Sequence, residues 1–340
     1  MPHPVLTKAI DRLAQREDLQ VHETEEVLGV IMGGEATETQ ISAFLIALRT
    51  KGETADELAG LAQAMRSLAA RVETGRDDLL DTAGTGGGRT TFNVSTTAAI
   101  IAAGAGCAVA KHGNRSATGL SGSADVLEAL GARLDVGREQ IARCIAEVGF
   151  GFMFAPAHHG ATRYVVPVRK ELAVRTIFNF LGPLTNPAGA TRQLIGVSDP
   201  GMIDVMAQAL ARLGAVRALV VSSEDGLDEL STSAPTTVVE VNGERIERYT
   251  VSPGDCGLPE AAPDAVGGGT PEVNAATTRS ILAAEQGPHR DLALLNAGAA
   301  IYAGGRAESI ADGVRVAAEA VDSGAAQRTL DAYVELTRAA

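Results

Sequence analysis

The first residues that could do chemistry form a glycine-rich run, DTAGTGGGRTTFNVST, at residues 81–96. It follows an apolar stretch of strand character and leads into a helical pattern that opens near Ser95. Glycines let a backbone approach a ligand closely, and the free N–H groups of a helix N-terminus favour an anion. The run is not a Walker A loop, and Arg89 replaces the third glycine of a dinucleotide fingerprint. It indicates phosphate binding, with a tight turn that holds no ligand as the alternative.

A second polar run, KHGNRSATGLSGSAD, follows the next predicted strand at residues 111–125. Lys111 supplies a cation, Asn114 and Ser123 supply neutral donors, and the planar fork of Arg115 suits a phosphate or an acidic partner. Alone, the run could be a solvated loop. Open α/β sheets bind ligands at the carboxyl ends of neighbouring strands, so two such loops together favour a ligand site.

A third run, SSEDGLDELST at residues 222–232, is acidic and follows another predicted strand. Asp225, Asp228 and Glu229 could hold hard divalent cations that also bind phosphate oxygens. An acidic solvated loop is the alternative. If these carboxylates face the two basic loops, the combination favours binding of a polyphosphate that is chelated by Mg²⁺.

The fourth run, PVRKELAVRTIFNFLGPLTNP, contains Arg169, Lys170 and Arg175, which could recognise a carboxylate or could be surface charges of a helix. His158 and His159 are adjacent, and on a strand they would point in opposite directions. The six histidines show no metal-binding spacing such as HExxH. No Ser-His-Asp order or nucleophile elbow is found, so the sequence supports no covalent catalysis and assigns no general base.

The elements that must position these residues fall into two groups. Residues 1–73 show only helical apolar spacing, which predicts a small helical domain. Thr37 with Gln40, and Thr54 with Glu57, have the spacing of capping boxes at two helix starts.

Residues 77–340 form the second group, a large α/β domain in which strand and helix patterns alternate. Such alternation predicts a mostly parallel central sheet covered by helices on both faces. Asn242-Gly243 indicates an antiparallel hairpin, and the chain from Thr270 onward is chiefly helical. Residues 160–190 interrupt the alternation and are expected to pack onto the helical domain. The predicted strands are 79–83, 107–110, 150–154, 193–197 and 217–221, and the helices between them are 95–103, 123–130, 140–148 and 202–213.

Composition limits the possible classes of protein. The 340 residues carry a net charge of −13, with 45% hydrophobic and 21% charged residues, which excludes disorder along the whole chain. The acidic balance gives no general attraction to nucleic acid or to an anionic membrane. Three cysteines without metal-binding spacing suit a reducing compartment. The sequence begins without a secretory pattern and has no apolar run long enough to span a bilayer, so a soluble, cytoplasmic protein is expected.

Several motifs in one order resemble the anthranilate phosphoribosyltransferase family. They are GTGG…TFNVST, KHGNR…SGSADVLEALG, PVRKEL…RTIFNFLGPLTNPAG, DGLDELS and GGTPEVNA, and the resemblance runs from QISAFLIALRTKGET to about residue 325. It implies a nucleoside phosphorylase/phosphoribosyltransferase-like fold with the active site between the domains, and a homodimer through the helical domain. The implied reaction transfers phosphoribosyl from 5-phosphoribosyl 1-diphosphate to the amine of anthranilate in tryptophan biosynthesis.

The resemblance also implies roles for individual residues. Anthranilate would contact Gly84, Asn114 and Arg169, and Mg²⁺, two ions per subunit in the family, would bind Ser95, Asp228 and Glu229. The residues implied to bind phosphoribosyl diphosphate are Gly84, Gly87, Thr91, Asn93, Ser95, Thr96, Lys111, His112, Gly113, Asn114, Arg115 and Ser123.

The sequence departs from the family pattern in four places. The family pattern has GTGGDG and two variable residues before Thr-Phe-Asn, whereas this sequence has GTGGGRT there and is one residue shorter. The Asp of that pattern is absent, so the number of magnesium ions is left open. Thr118-Gly119-Leu120 replaces Ser-Ser-Lys. His159-Gly160 replaces His-Pro, and Val221-Ser222-Ser223 replaces Val-His-Gly. Arg89 or Arg115 could compensate for the lost charge.

Three alternatives to this interpretation remain. One is a paralogous phosphoribosyltransferase that acts on another aromatic amine, and another is a pyrimidine-nucleoside phosphorylase of related fold, to which Arg169 and Asn114 are less suited. The third is a non-catalytic relative that binds nucleic acid. The net charge and the presence of Asp228 and Glu229 argue against this third alternative.

Overall fold

The computed structural model describes residues 1–116 and 119–339. A seven-stranded sheet with the order β3-β2-β1-β4-β5-β6-β7 forms its centre. The first five strands are parallel, and the last two run antiparallel as a hairpin with Gly243 in its turn. The strands are β1 Leu79–Asp81, β2 Ala108–Gly113, β3 Phe150–Phe154, β4 Arg192–Gly196, β5 Arg217–Ser223, β6 Thr236–Asn242 and β7 Arg245–Val251.

Helices precede the sheet, cross between its strands and close the chain. Short 3₁₀ turns lie at Gly160–Tyr164, Gly182–Leu184, Pro200–Met202, Pro253–Cys256 and Pro263–Val266. The α-helices are α1 Pro4–Ala14, α2 Val21–Met32, α3 Glu38–Lys51, α4 Ala55–Leu68, α5 Val94–Gly104, α6 Ser123–Leu130, α7 Arg138–Val148, α8 Ala155–His158, α9 Val166–Leu172, α10 Phe178–Leu181, α11 Ile203–Arg212, α12 Pro271–Leu282, α13 Pro288–Ala303, α14 Ile310–Asp322 and α15 Ala325–Arg338.

The predicted fold class, a helical domain with a mostly parallel α/β domain, is confirmed. Alternate residues of β5 show why the sheet is buried on both faces. Leu219 and Val221 pack in the cluster built by α5 and α13, whereas Ala218 and Val220 pack beneath α11. Strands buried on both faces read as continuous apolar runs, which is why the sequence pattern located them.

The N-terminal helices have no separate core. Phe44 and Leu58 belong to the same apolar cluster as Leu210 of α11 and Val220 of β5. Residues 160–190 join this cluster through side chains such as Ile177, and α9 packs against α3. The helical unit is thereby fixed against the α11 face of the sheet, with the cleft between this unit and the carboxyl ends of the strands.

The two capping boxes expected in the helical unit differ in outcome. Thr54 and Glu57 cap α4 reciprocally, with Glu57 N–H donating to Thr54 Oγ1 at 3.3 Å and Thr54 N–H to Glu57 Oε2 at 2.9 Å. Thr37 accepts from Gln40 N–H, but the expectation that Gln40 reaches back is wrong. Its amide bonds both the N–H and the C=O of His3, which ties α1 to α3.

Within the described ranges, no helix combines the length and the apolar character needed to cross a membrane. The three cysteines are free, and Cys107 and Cys144 are buried.

Candidate active site

The glycine-rich loop leaves β1 at Asp81 and enters α5 at Val94, where strand order reverses between β1 and β4. Gly84 forms a parallel bridge with Gly196 at the end of β4, and Thr85 N–H donates to the Gly196 carbonyl at 2.8 Å. A reversal point at the carboxyl ends of parallel strands is where such sheets bind ligands. The location agrees with the sequence argument for an anion-binding loop.

Three contacts hold the middle of this loop. Gly86 N–H donates to Asp228 Oδ2 at 2.9 Å, and its carbonyl accepts from Arg175 Nη2 at 2.6 Å and from Ser198 Oγ at 2.8 Å. Gly87 has a φ of +82° and lies against the Arg175 guanidinium, so a side chain there would be strained and would clash. Arg175 thus holds the loop through Nη2, and its recognition of a carboxylate stays a prediction.

Arg89 joins the glycine-rich loop to the acidic loop. The backbone N–H of Arg89 donates to the Gly226 carbonyl at 2.9 Å, and its guanidinium Nη2 pairs with Asp225 Oδ2 at 2.8 Å. Asp225 also accepts from the hydroxyls of Ser223 and Ser231. The Asp225 carboxylate thus accepts hydrogen bonds from three side chains of the protein. Of the three carboxylates that could bind a metal ion, Asp228 and Glu229 remain as candidates.

Lys111 lies at the floor of the site and is 1% exposed. Its Nζ donates to the Thr82 carbonyl at 2.6 Å and to Ser95 Oγ at 3.3 Å. Burial lowers the Lys111 pKa to about 8, opposed by the charges of Asp81 and Glu229. Asp81, fully buried one strand away, has a pKa raised to about 6, also by burial. The cation beside Ser95 is positioned for an anionic ligand.

Asp228 and Glu229 form a pair of acidic oxygens opposite α5. Burial raises both pKa values, and the neighbouring Asp228 charge raises that of Glu229 further. Glu229 accepts from the Ser95 N–H and the Thr91 hydroxyl. Two crowded carboxylates beside a serine are hard oxygen donors that suit Mg²⁺, and a cation would relieve their repulsion. In the described part of the chain, no three His, Cys, Asp or Glu side chains surround a metal position, so substrate oxygens would have to complete the shell.

The N-terminus of α5 presents Asn93, Ser95 and Thr96. Thr96 is 1% exposed, and its hydroxyl has no hydrogen-bond partner among residues 1–116 and 119–339. A buried hydroxyl left without a partner is costly, and it suits a ligand with acceptor oxygens. The Asn93 side chain is bonded to neighbouring segments rather than to its own helix.

The second polar loop follows β2. Gly113 leaves no room for a side chain between the Phe152 ring and Ser123, the first residue of α6. Asn114 is exposed, and its carbonyl accepts from the Ala124 N–H at 3.2 Å.

Arg115 is turned away from the cleft. It pairs with Asp125 at 2.7 Å and with Glu128 at 2.6 Å, both on α6. Thr118 lies outside the described residues, while Gly119 and Leu120 are exposed.

Arg169 lies on α9, which packs against α3 of the helical unit. Its guanidinium is 5.6 Å from the centre of the Phe178 ring, and it has no carboxylate partner among the described residues. Burial lowers its pKa below the usual arginine value. A half-buried cation without a counter-ion beside an aromatic ring suits a planar carboxylate. Lys170, the next residue, is exposed.

Two buried histidines meet between β2 and the helical unit. The rings of His112 and His159 are 5.1 Å apart, and the Nε2 atom of each has no partner within the described chain. Burial lowers the pKa of His112 to about 3 and that of His159 to about 4. His158 instead bonds the Ala70 carbonyl, so the adjacent histidines do diverge as expected.

Two buried asparagines were not identified as site residues from the sequence. Asn186 bonds Asp81 Oδ2 at 2.7 Å and the Ala110 carbonyl at 2.8 Å, which steadies the strand that carries Lys111. Asn274 bonds Asn93 Oδ1 at 2.8 Å. Both lie in motifs that the sequence analysis quoted, LTNP and GGTPEVNA, and the motifs were the only available signal.

Two family profiles match the chain. The profile described as "Glycosyl transferase family, helical bundle domain" matches residues 7–69, and "Glycosyl transferase family, a/b domain" matches residues 76–327. A curated relative, the anthranilate phosphoribosyltransferase of Symbiobacterium thermophilum, is 51% identical over 327 residues, which is 96% of each chain.

Solved structures agree with these matches. The anthranilate phosphoribosyltransferase of Thermus thermophilus is 46% identical, superposes with a TM-score of 0.92, and the match covers 97% of this chain and 99% of that one. The Saccharomyces cerevisiae enzyme in complex with PRPP and Mg is 27% identical with a TM-score of 0.89, over 98% of each chain. The yeast enzyme was also solved with 4-fluoroanthranilate; that structure is 27% identical with a TM-score of 0.88, over 98% of each chain.

Proposed function

This chain belongs to the anthranilate phosphoribosyltransferase family, and we propose that it transfers the phosphoribosyl group of 5-phosphoribosyl 1-diphosphate to the amine of anthranilate. The products are N-(5-phosphoribosyl)anthranilate and diphosphate, and the step belongs to tryptophan biosynthesis. The observation that carries the proposal is the meeting, at the carboxyl ends of β1 and β2, of the buried Lys111 cation, the open N-terminus of α5 and the Glu229 carboxylate.

The donor half of the site lies between β1, β2 and α5. Lys111 and the first N–H groups of α5 would receive the negative charge of the donor, and the Thr96 hydroxyl would gain the partner it lacks. Gly84 and Gly87 permit close approach of the backbone. The donor-binding set carried over from the family also includes Thr91, Asn93, Ser95, His112, Gly113, Asn114, Arg115 and Ser123.

Arg115 would act in this set through the loop rather than by touching phosphate. Its ion pairs with Asp125 and Glu128 connect the loop after β2 to α6. They would hold Asn114 and Ser123 at the mouth of the cleft.

We propose that Ser95, Asp228 and Glu229 would hold Mg²⁺, with two ions per subunit. Bound Mg²⁺ would neutralise charge on the departing diphosphate. The shortened loop offers Arg89 instead of a carboxylate, and Arg89 is paired with Asp225. Metal binding at this loop therefore depends on Asp228 and Glu229.

Bond breaking at the anomeric carbon builds positive charge on the ribose and negative charge on the leaving diphosphate. Lys111 and the loop N–H groups are already in place to stabilise the latter, which is electrostatic catalysis by fixed groups. The amine of anthranilate is unprotonated at neutral pH and needs positioning more than a base. Arg169 would position it through the carboxylate, with Gly84 and Asn114 completing the acceptor site, so no general base is assigned.

We also propose a homodimer formed through the helical domain. Ile46 on α3 is 37% exposed, Val166 at the start of α9 is 38% exposed, and Val174, two residues after the end of α9, is 44% exposed. The helices that carry Ile46 and Val166 are neighbours, since α9 packs against α3. Sedimentation equilibrium should give a mass near twice 34.9 kDa, and Ile46→Asp should lower it towards that of one chain. The cytoplasmic location stays a prediction.

Loss of anthranilate fluorescence on mixing the protein with phosphoribosyl diphosphate and Mg²⁺ tests the function. We expect decay at micromolar anthranilate, none without Mg²⁺, and none in Glu229→Gln. Absence of decay in the wild-type protein, despite measurable binding of phosphoribosyl diphosphate, would mean that another aromatic amine is the acceptor. Absence of both binding and decay would contradict the proposal.

A further inference from the structure

Asn274 lies on α12 opposite the start of α5 and is 1% exposed. Its Oδ1 accepts from the Gly269 N–H at 2.8 Å, and its Nδ2 donates to Asn93 Oδ1 at 2.8 Å. The Gly269 N–H can only donate, so the oxygen of the Asn274 amide must face it. The amide nitrogen then necessarily faces Asn93, which fixes the orientation of both side chains.

Asn93 occupies the N-cap position of α5. An asparagine there ordinarily turns its side-chain oxygen onto the N–H of the second or third helical residue. Here that bond is absent, because Asn93 Oδ1 accepts from Asn274 Nδ2 and from Ser121 Oγ at 2.9 Å. Asn93 Nδ2 also donates to the Ser121 carbonyl at 3.2 Å. The capping side chain is held away from its own helix.

The third helical residue of α5 is Thr96, one of the two positions that a capping asparagine would bond. Its hydroxyl is buried and has no partner within residues 1–116 and 119–339, and its N–H makes no bond there either. The N–H of Ser95, the second residue, faces Glu229. The free donors of this helix start are therefore concentrated at Thr96, beside the cation of Lys111 that contacts Ser95.

We propose that Asn274 is a positioning residue that keeps the Asn93 side chain off α5, so that Thr96 stays open to a phosphate group. The inference rests on the proposed function, which identifies that phosphate group as part of phosphoribosyl diphosphate. Asn274 itself need not touch the ligand. Without it, only the two contacts with Ser121 oppose rotation of the Asn93 side chain onto the Thr96 N–H, where it competes with the substrate for the same donor.

The affinity test uses Asn274→Ala, Asn93→Ala and the double variant, with calorimetric titration of phosphoribosyl diphosphate in Mg²⁺. We expect Asn274→Ala to weaken binding at least tenfold and to leave the KM of anthranilate within twofold. In the Asn93→Ala background there is no side chain to hold, so the double variant should bind within twofold of Asn93→Ala alone. If the two losses instead multiply, Asn274 supports the 268–269 backbone only and the proposal is wrong.

Amide hydrogen exchange on the substrate-free protein tests, independently of the reaction, whether Asn274 keeps the Asn93 side chain off the Thr96 N–H. Asn274→Ala should slow exchange at the Thr96 amide, and the double variant should not. Unchanged or faster exchange in Asn274→Ala would overturn the proposal even if the enzyme acts on anthranilate. Asn274→Ser, which is too short to reach Asn93, should behave as Asn274→Ala does and serves if that variant folds poorly.

Discussion

The backbone N–H of Gly86 donates to Asp228 Oδ2 at 2.9 Å, so the glycine-rich loop rests on a carboxylate proposed to bind magnesium. Asp228 lies so close to Gly84 and Gly88 that a side chain at either position would meet its oxygens. The loop and the proposed metal ion therefore use the same acidic group, the loop through Oδ2.

This double use predicts different behaviour for two substitutions at Asp228. Asp228→Asn keeps an oxygen for the Gly86 N–H but loses the charge, whereas Asp228→Ala loses both. Each should reduce Mg²⁺-dependent turnover by about 100-fold or more, because charge stabilisation at the leaving group is lost. Only Asp228→Ala should accelerate tryptic cleavage after Arg89 in the free loop. Equal cleavage of both variants would show that the Gly86 contact does not anchor the loop.

The acceptor prediction concerns Arg169. Removal of its guanidinium in Arg169→Ala should raise the KM of anthranilate about 10- to 100-fold, the range for one charged hydrogen-bonded pair. The KM of phosphoribosyl diphosphate should stay within twofold, since Arg169 lies on α9 and not on a donor loop. Lys170→Ala, which removes the exposed neighbouring cation, is the matched control and should change neither value. Unaltered anthranilate KM in Arg169→Ala would refute the assignment.

The local sequence pattern was sufficient to predict the helices and strands and to predict where the polar loops lie on the sheet. Residues 150–154 and 123–130 were predicted with the bounds that β3 and α6 have, because apolar runs and turn residues are properties of neighbouring positions. The strand expected at residues 79–83 ends earlier, at Asp81. The loops after β1 and β2 meet because parallel strands end at one edge of a sheet.

Pairings between distant residues could not be predicted in the same way. Arg89 meets Asp225, and Asn93 meets Asn274, 136 and 181 positions apart along the chain. A local pattern shows an arginine or an asparagine but not which segment it will face after folding. For that reason the sequence offered Arg175 as a carboxylate receptor or a surface charge, and its contact with the glycine-rich loop was not predicted.

The contacts of Glu57 predict that this residue contributes to the stability of the helical unit. It is fully buried, accepts from the N–H of Leu19 and of Thr54, and pairs with Lys51 at 3.0 Å. Glu57→Ala leaves the two N–H groups without an acceptor and removes one of the two carboxylate partners of the nearly buried Lys51, whose other partner is Asp18. These losses should lower the free energy of unfolding by about 3 kcal/mol. Urea denaturation followed by circular dichroism measures the loss. Glu73→Ala, at an exposed carboxylate, should cost roughly 0–1 kcal/mol, and equal losses would contradict the argument.

The buried histidine pair predicts how stability depends on pH. Burial lowers the His159 pKa to about 4, and the nearby His158 charge adds to the effect, whereas the unfolded residue titrates near its ordinary value. Between these two pKa values the unfolded chain binds the additional proton, so stability falls as pH drops from about 6.5 towards 4. The shift corresponds to about 3 kcal/mol for this residue at the acidic end.

His159→Gln removes that titration and should flatten the decline of the thermal midpoint between pH 6.5 and pH 4 relative to the wild-type protein. The glutamine also loses the ring contact with His112, so the slope with pH is the diagnostic quantity and the midpoint at neutral pH is not. His22→Gln, at an exposed position, should leave the slope unchanged. A slope in His159→Gln that matches that of His22→Gln would mean that His159 is protonated in the folded protein at the same pH as in the unfolded chain.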